Sequence, residues 1–263
     1  MTTLTNDALL AVAERLGVQT LPLVLAVGPR QDTFDAWRAA RDAAVAELTD
    51  TGIFDTYGDV EPDLAGALYT LAQPDAELVA RGYGDDGRRR ICLARRGSGH
   101  ASAVRTGETF EIATDAIDGS DRELARLLLA ALPTCAPAEV APVSVAADDL
   151  AARLDAAGTT SQYVDAMYAL GIDAHQATVL GAAFGTCHGY TEIVAVVHHD
   201  GLTTRAPGAV AVYDTARGRI VVAPMTAPDG QVWSTITPGT DHRLTQAIGA
   251  LLEGLPGGGW RPD

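Results

Sequence analysis

The residues of this sequence best suited to nucleophilic chemistry are Cys187 and His188, which are adjacent in the stretch GTCHGY. An imidazole can activate a thiol, but catalytic partners usually meet in space from distant positions in the chain. No GxSxG or GxxxxGK[ST] motif is present, so the sequence shows neither a serine nucleophile elbow nor a Walker-type phosphate loop. The pair therefore favours a turn with a partly buried thiol over an active site.

A metal site would have to use the histidines and cysteines. His198 and His199 are adjacent in a predicted strand, where successive side chains point to opposite faces, so they cannot bind one ion together. The chain has no HExxH, HxxH or CxxC motif, and its three cysteines are far apart, as is typical of small buried hydrophobes in a reducing compartment. We therefore predict no metal site.

Paired carboxylates could serve acid–base chemistry, but each pair has a structural explanation. Asp85 and Asp86 lie in a predicted turn. The pairs Asp148–Asp149 and Asp118–Asp121 precede predicted helices, where carboxylates favour the positive helix terminus. Nothing in the sequence then resembles an active site, which favours a binding protein over an enzyme.

The charge and composition exclude further classes of protein. The net charge of −15 and pI of about 4.6 disfavour binding to nucleic acid, which demands basic patches. No apolar run approaches the ~18 residues of a membrane span, and the first residues do not follow the pattern of a secretory signal. We expect a cytoplasmic protein without membrane or nucleic-acid partners.

The elements that would position any site follow from periodicity. Three helices are predicted near the start, with an apolar run at residues 20–28 between the first two that predicts a strand. Short β-rich segments with Gly/Asp turns then predict a meander of about four strands. After a Pro/Ala-rich linker, three more helices and a second set of strands are predicted.

The segment SDRELARLLLAALP (Ser120–Pro133) is echoed by TDHRLTQAIGALLEGLP (Thr240–Pro256), and each closes a set of strands. This shared order predicts an internal repeat and an α+β fold, in which one antiparallel sheet is flanked by helices. The predicted organisation is an N-terminal half (1–134), a linker (135–147), a C-terminal half (148–256) and a flexible tail (257–263).

These segments together resemble the EspG family, the cytosolic chaperones of mycobacterial type VII secretion. The resemblance spans nearly the whole chain and depends on the order in which several short sequence segments occur together. They are LTNDALLAVAERLGVQTLPLVLAVGPR, LARRG, SDRELARLLLAALP, VYDTARGRIVVAP and VWSTITPGTDHRLTQAIGALLEGLP.

The resemblance implies a central antiparallel sheet in two halves related by a pseudo-two-fold axis. It also implies binding of a PE–PPE heterodimer, one chaperone per heterodimer, by covering an exposed hydrophobic tip of the PPE subunit. It implies no cofactor and no catalysis. An apolar tip of this kind is an aggregation hazard, so its chaperone must offer an apolar surface with a polar rim. A related helical secretion substrate stays open as an alternative partner.

Within the family, the partner is held by the central sheet, by the loop between the first two meander strands, and by helices of the C-terminal half. The resemblance places the loop at Tyr83–Arg90, the sheet strand at Glu192–Asp200 and the helix at residues 160–171. In the strand, one face carries Val194, Val196 and His198, and ordinary core packing is the alternative for both faces. For the helix, a core role for its stripe is the alternative. The candidate partner-binding residues are Tyr83, Asp85, Asp86, Arg88, Arg89, Tyr163, Met167, Val194, Val196 and His198.

Two other hypotheses belong to different classes. The first is an enzyme acting on a small molecule in a cleft between the halves, through Cys187 and a distant histidine. The second is a module that dimerises through its sheet. For the free chaperone we expect a monomer or a weak homodimer.

Overall fold

An antiparallel β-sheet organises this computed structural model, which describes residues 1–85, 87–256 and 260. Within those residues the sheet has eleven strands. They are β1 (Thr2–Thr5), β2 (Ala76–Gly84), β3 (Gly87–Arg96), β4 (Gly99–Thr106), β5 (Thr109–Thr114), β6 (Val143–Ala146), β7 (Cys187–His199), β8 (Leu202–Arg205), β9 (Val210–Thr215), β10 (Gly218–Thr226) and β11 (Val232–Pro238).

Helices lie in every segment for which the sequence predicts one. They are α1 (Asn6–Arg15), α2 (Phe34–Asp50), α3 (Pro62–Ala72), α4 (Asp121–Ala130), α5 (Ala147–Ala156), α6 (Thr160–Ala169), α7 (Ala174–Phe184) and α8 (Asp241–Glu253). The predicted α+β class with a central antiparallel sheet is therefore confirmed.

The two halves arrange their strands in the same way when each is followed from its own edge of the sheet to the centre. The strand order is β1-β5-β4-β3-β2-β7-β9-β10-β11-β6, with β8 paired to β7 outside this row. Each half contributes an edge strand, three helices, a set of strands and a final helix, and the halves meet where β2 pairs with β7. This mirrored order fits the pseudo-two-fold arrangement that the resemblance implies. An internal sequence repeat stays a prediction.

The echoed segments form α4 and α8, which pack against each other over the centre of one sheet face. Ser120 and Thr240 cap them by accepting hydrogen bonds from the backbone N–H of Glu123 and Arg243. The aspartate that follows each cap lies in the first turn, where its negative charge interacts favourably with the positive end of the helix dipole. The apolar sides of both helices cover one cluster that includes Leu78, Ile91, Leu124, Ile193 and Ile248.

The opposite face of the sheet carries two separate helical layers. Helices α1 and α3 pack on β3–β5, and α2 packs on α1, around a cluster that includes Leu9, Leu68 and Phe110. Helices α5–α7 pack around a second cluster that includes Met167, Leu180 and Ile236, on the strands of the C-terminal half. The central strands β2 and β7 lie between the two layers.

The predicted strand at residues 20–28 is wrong, because this run forms a 3-10 turn at Leu23–Leu25. Its backbone carbonyls accept hydrogen bonds from arginine side chains of the sheet instead of from a neighbouring strand. Arg90 donates to Val24 O at 3.0 Å, and Arg105 donates to Leu25 O at 2.8 Å and to Ala26 O at 2.7 Å. The carbonyl groups are thus satisfied without strand pairing.

The predicted linker at 135–147 is only partly a linker. Its residues Val143–Ala146 form β6, which pairs with β11 and ends the sheet, and Ala147 begins α5. The edge strands β1 and β6 are four residues each, too short to be recognised by alternation alone.

Most of the predicted flexible tail, residues 257–259 and 261–263, lies outside the described residues. Trp260 is an exception, since it is only 3% exposed and its ring stacks on His100 with the centroids 6.2 Å apart. Gly119, with a φ of +68°, approaches both rings, so a side chain there would meet them at 3.1 Å and 3.2 Å. This tryptophan ties the end of the chain to the N-terminal half, against the expectation of a free tail.

In the part of the chain that the structure describes, no helix has the length and apolar character needed to cross a bilayer.

Replacement of Trp260 tests this contact. We expect Trp260→Ala to lower the free energy of unfolding by about 3 kcal/mol, because it removes a large buried side chain and leaves a cavity. Urea denaturation followed by circular dichroism measures the change. Tyr168→Ala, which truncates an aromatic side chain that is 53% exposed, is the control and should change the free energy by under ~0.5 kcal/mol. Equal effects of the two variants would contradict a buried role for Trp260.

His100 makes stability depend on pH. Burial, and then the charge of Arg95, lower the pKa of this imidazole below its ordinary value. The unfolded chain therefore binds the proton first, so the free energy of unfolding should fall as pH decreases from about 8 through the unfolded pKa of ~6.5. Denaturation at several pH values should show a smaller slope in His100→Gln. Burial raises the pKa of the neighbouring Asp115, which acts in the opposite direction in the acidic range, so the comparison is made above about pH 6. An identical slope in both proteins would refute the assignment.

Candidate interaction surface

A central strip of side chains from β2 and β7 lies between the two helical layers on the face opposite α4 and α8. The alternation of the strands and their pairing, Val79 with Val194 and Tyr83 with Tyr190, set its members. They are Glu77, Val79, Arg81 and Tyr83 of β2, and Tyr190, Glu192, Val194, Val196 and His198 of β7. The two helical layers cover this strip only in part, since most of its side chains keep some exposure to solvent.

The valines of the strip are its apolar centre. Val79 is half-buried against the edge of the N-terminal cluster. Val194 is 8% exposed and Val196 is half-buried, yet neither belongs to any of the hydrophobic clusters found among the described residues. Their odd-numbered neighbours Ile193 and Ala195 are fully buried under α4 and α8. Side chains of one strand thus divide between a packed core and an open strip.

A row of aromatic rings crosses the strip near the β2–β3 turn. Tyr83 and Tyr190 are cross-strand partners, and the Tyr190 and Tyr213 rings are 5.1 Å apart. Phe184 of α7 meets Tyr213 edge-on at 5.1 Å and is 6.4 Å from Tyr163 of α6. At the other end, the Arg88 guanidinium lies 5.9 Å from the centre of the Tyr83 ring. The row therefore connects the first hairpin to the helices of the C-terminal half.

The row is rigid at its C-terminal end and exposed at the hairpin. Phe184 is buried and Tyr213 is half-buried, whereas Tyr83 is 50% exposed. Burial raises the pKa of both Tyr190 and Tyr213, so their hydroxyls stay protonated and can donate hydrogen bonds. Rigid aromatic side chains with a polar tip are enriched at protein interfaces.

Comparison with known proteins places this architecture in a family. The model of the EspG family matches residues 5–250. The chain is 31% identical to ESX-1 secretion-associated protein EspG1 of Mycobacterium tuberculosis, over 97% of this chain and 88% of that protein. It is 30% identical to ESX-3 secretion-associated protein EspG3 of Mycolicibacterium smegmatis, over 99% of this chain and 89% of that protein.

The chain belongs to the EspG family.

The same fold occurs in a solved complex. The type VII secretion system chaperone EspG5 of Mycobacterium tuberculosis, in complex with a PE25–PPE41 dimer, matches with a TM-score of 0.81 at 21% identity. The match covers 99% of this chain and 98% of that chain. The family and the fold that the sequence resemblance implied are therefore confirmed.

The predicted loop at Tyr83–Arg90 is a tight hairpin in this EspG protein. Strand pairing continues to Gly84 and Gly87, so the connection is only two residues long. Asp85 lies in the turn and is exposed, and Asp86 lies outside the described residues. The glycines of GYGDDG have the spacing of a dinucleotide-binding turn, but such a site needs a helix after the turn, and here β3 follows.

The remaining candidates divide between the strip and the interior. Arg88 lies on the strip side of β3, whereas Arg89 lies on the opposite face and donates to Ala131 O at the end of α4, at 2.7 Å. Tyr163 is half-buried in the aromatic row. Met167 is fully buried in the core of α5–α7, so it cannot contact a partner. The alternative that it packs in the core is therefore correct.

His198 lies at the end of the strip and takes part in a chain of polar side-chain contacts. Its Nε2 lies 3.1 Å from Glu77 Oε2 and its Nδ1 lies 3.2 Å from Thr203 Oγ1. The other oxygen of Glu77 accepts a hydrogen bond from the Cys92 thiol at 3.6 Å. These contacts hold the imidazole in place and satisfy the half-buried carboxylate.

The sequence analysis missed Tyr190, Tyr213, Val79 and Arg81. Tyr190 and Val194 are four residues apart and so lie on the same face of the strand. The predicted strand started after Tyr190, whereas β7 begins at Cys187. Residues of β2 could only be placed beside β7 once the pairing of the two halves was known.

Neither Cys92 nor Cys187 has the surroundings of an activated cysteine. Desolvation raises the pKa of the Cys187 thiol, and its sulfur donates to Gly189 O at 3.2 Å rather than to a histidine. Burial raises the pKa of Cys92 well above its ordinary value, and Glu77 separates its sulfur from His198. An activated cysteine needs the opposite, a lowered pKa and a direct imidazole contact. Among the described residues there is also no cluster of metal ligands.

The reactivity of Cys187 checks this conclusion. We expect its alkylation by iodoacetamide to follow a pH profile with a midpoint above that of an ordinary thiol, ~8.5, because only the thiolate reacts. Peptide-resolved mass spectrometry of Cys135→Ser protein measures the rate, and the same protein in urea is the control. A midpoint below about pH 7 would indicate an activated nucleophile and would support the enzyme hypothesis.

Proposed function

We propose that this protein is a type VII secretion chaperone that binds the hydrophobic tip of a PE–PPE-type heterodimer on its central strip and keeps the pair soluble. The observation that carries the proposal is the strip itself, a row of valines and tyrosines between two helical layers that runs from the buried Val194 to the exposed Tyr83. The EspG family membership and the fold shared with a chaperone that holds a PE25–PPE41 dimer support it.

The chemistry of the strip suits a helical apolar tip. Its valines supply an apolar centre about two strands wide, and the aromatic row supplies rigid rings beside it. A partner tip buried there leaves water, which is favourable in proportion to the apolar area removed. Binding the soluble form then suppresses aggregation by mass action and requires no chemical step.

The surroundings of the thiols and of His198 support binding without catalysis. The thiols have raised pKa values, and the strip's imidazole is engaged with Glu77 and Thr203. We infer that the protein is not an enzyme, that it needs no cofactor and that one chaperone serves one heterodimer. We also infer a cytoplasmic location, as a monomer or weak homodimer when free, since the acidic surface of net charge −15 opposes self-association.

Co-expression tests the proposal directly. The protein is co-expressed with the PE–PPE-type pairs encoded by the producing organism, and the mixture is separated by size-exclusion chromatography with light scattering. We expect one pair to elute with the chaperone as a 1:1:1 complex and to precipitate without it. Failure of every pair to co-elute would refute the proposal.

A polar substitution in the strip should break the complex. We expect Val196→Asp to weaken binding at least about tenfold, or ~1.4 kcal/mol, because it replaces an apolar contact by a carboxylate that the partner would have to desolvate. Ala113→Asp makes the matched change on the α4–α8 side of β5, also at a half-buried strand position, and should leave affinity unchanged. Titration calorimetry measures both. Equal affinities for the wild type and Val196→Asp, with the fold verified by circular dichroism, would exclude the strip as the contact.

A further inference from the structure

We propose that Arg81 and Arg88 give the central strip a specificity for partners that carry carboxylates beside the apolar tip. This inference rests on the proposed function and names the chemistry of the partner at the same site. It starts from two exposed arginines at the hairpin end of the strip, in a molecule whose net charge is −15.

The carboxylates of the strip are already engaged. Glu77 accepts from the Cys92 thiol and contacts His198. Glu192 lies 3.6 Å from the guanidinium of Arg205 on β8. A partner that approaches the strip therefore meets carboxylates that already have hydrogen-bond or ion-pair partners within the chaperone.

Most arginines near the strip are engaged too. Arg90 and Arg105 donate to the backbone of the 3-10 turn at Leu23–Leu25, and Arg89 donates to the end of α4. These side chains shape the fold and are not available to a partner.

Arg81 and Arg88 differ from these residues. Both are exposed, and among the described residues neither makes an ion pair or a hydrogen bond through its side chain. Arg88 lies only over the ring of Tyr83, which leaves its guanidinium hydrogens free. Arg81 is the cross-strand partner of Glu192, but the ion pair of that carboxylate is with Arg205. Arg81 and Arg88 are therefore two exposed cations at the hairpin end of the strip, in a protein with a net charge of −15.

Their positions in the strands set the recognition geometry. Arg81 lies between Val79 and Tyr83 on the same side of β2, about 7 Å from each along the strand. Arg88 is the cross-strand partner of Tyr83. A tip that packs on the valines and tyrosines therefore brings its flanking residues within reach of both guanidinium groups, which bind carboxylates bidentately.

Charge complementarity of this kind acts mainly on association and on the choice of partner. Opposite charges steer two proteins together, and like charges exclude wrong partners. Because the net charge of the molecule is −15, a local attraction to Arg81 and Arg88 would also orient the docking of an acidic partner.

The test measures association rates of the heterodimer that co-elutes with the wild-type protein, by biolayer interferometry at about 50 mM and about 300 mM NaCl. We expect the double variant Arg81→Glu, Arg88→Glu to associate at least about tenfold more slowly at low salt, with a loss of salt dependence. Arg81→Gln should give an intermediate rate. Arg122→Glu is the control, since Arg122 is an exposed arginine on α4, over the other sheet face, and should leave the rate unchanged.

Reversal of the partner's charges completes the test. Replacement of the carboxylates beside the heterodimer's tip by arginine should slow binding to the wild type and restore binding to the double variant. Unchanged rates and salt dependence in the double variant, with binding intact, would overturn the role of the two arginines and leave the proposed function standing. If no heterodimer binds the wild type, the proposed function fails and this inference fails with it.

Discussion

The pairing of β2 with β7 is the interaction on which the rest of the structure depends. Nine residues of β2, Ala76–Gly84, pair with β7 and join the two halves into one sheet. β2 and β7 are the innermost strands of the two halves, so the order of strands is mirrored about the seam between them. The seam therefore becomes the centre of the molecule and carries both its most buried packing and its open strip.

The two faces of the seam meet different constraints. On one face, α4 and α8 pack together and bury Leu78 and Ile193 completely. On the other, each set of three helices covers the strands of its own half, and none of the helices in the described residues is centred on the seam. The strip between the two layers is therefore partly exposed, with Tyr83 and Arg81 the most accessible of its side chains.

Side-chain hydrogen bonds complete this arrangement where strand pairing cannot. Arg90 and Arg105 hold the 3-10 turn across the sheet, and its Leu23 is left 93% exposed. The buried bidentate pair of Arg219 with Asp214, at 2.6 Å and 2.9 Å, ties the β9–β10 hairpin to Pro133 O at the end of the first half. Charged residues inside this fold thus serve the backbone, and the exposed cations of the strip contrast with them.

The sequence by itself determined the helices, the meanders, the family and the absence of recognisable catalytic motifs, because these depend on local spacing and capping. The hydroxyl caps Ser120 and Thr240 and the alternation in β7 are examples. Only the tertiary structure decided that residues 20–28 form a turn rather than a strand, that Met167 is core and that Trp260 is anchored. It also decided which side chains share the strip, since Val79, Arg81 and Tyr190 become neighbours through a pairing between residues more than a hundred positions apart. Local periodicity tells which face of a strand a side chain takes, but not what covers that face.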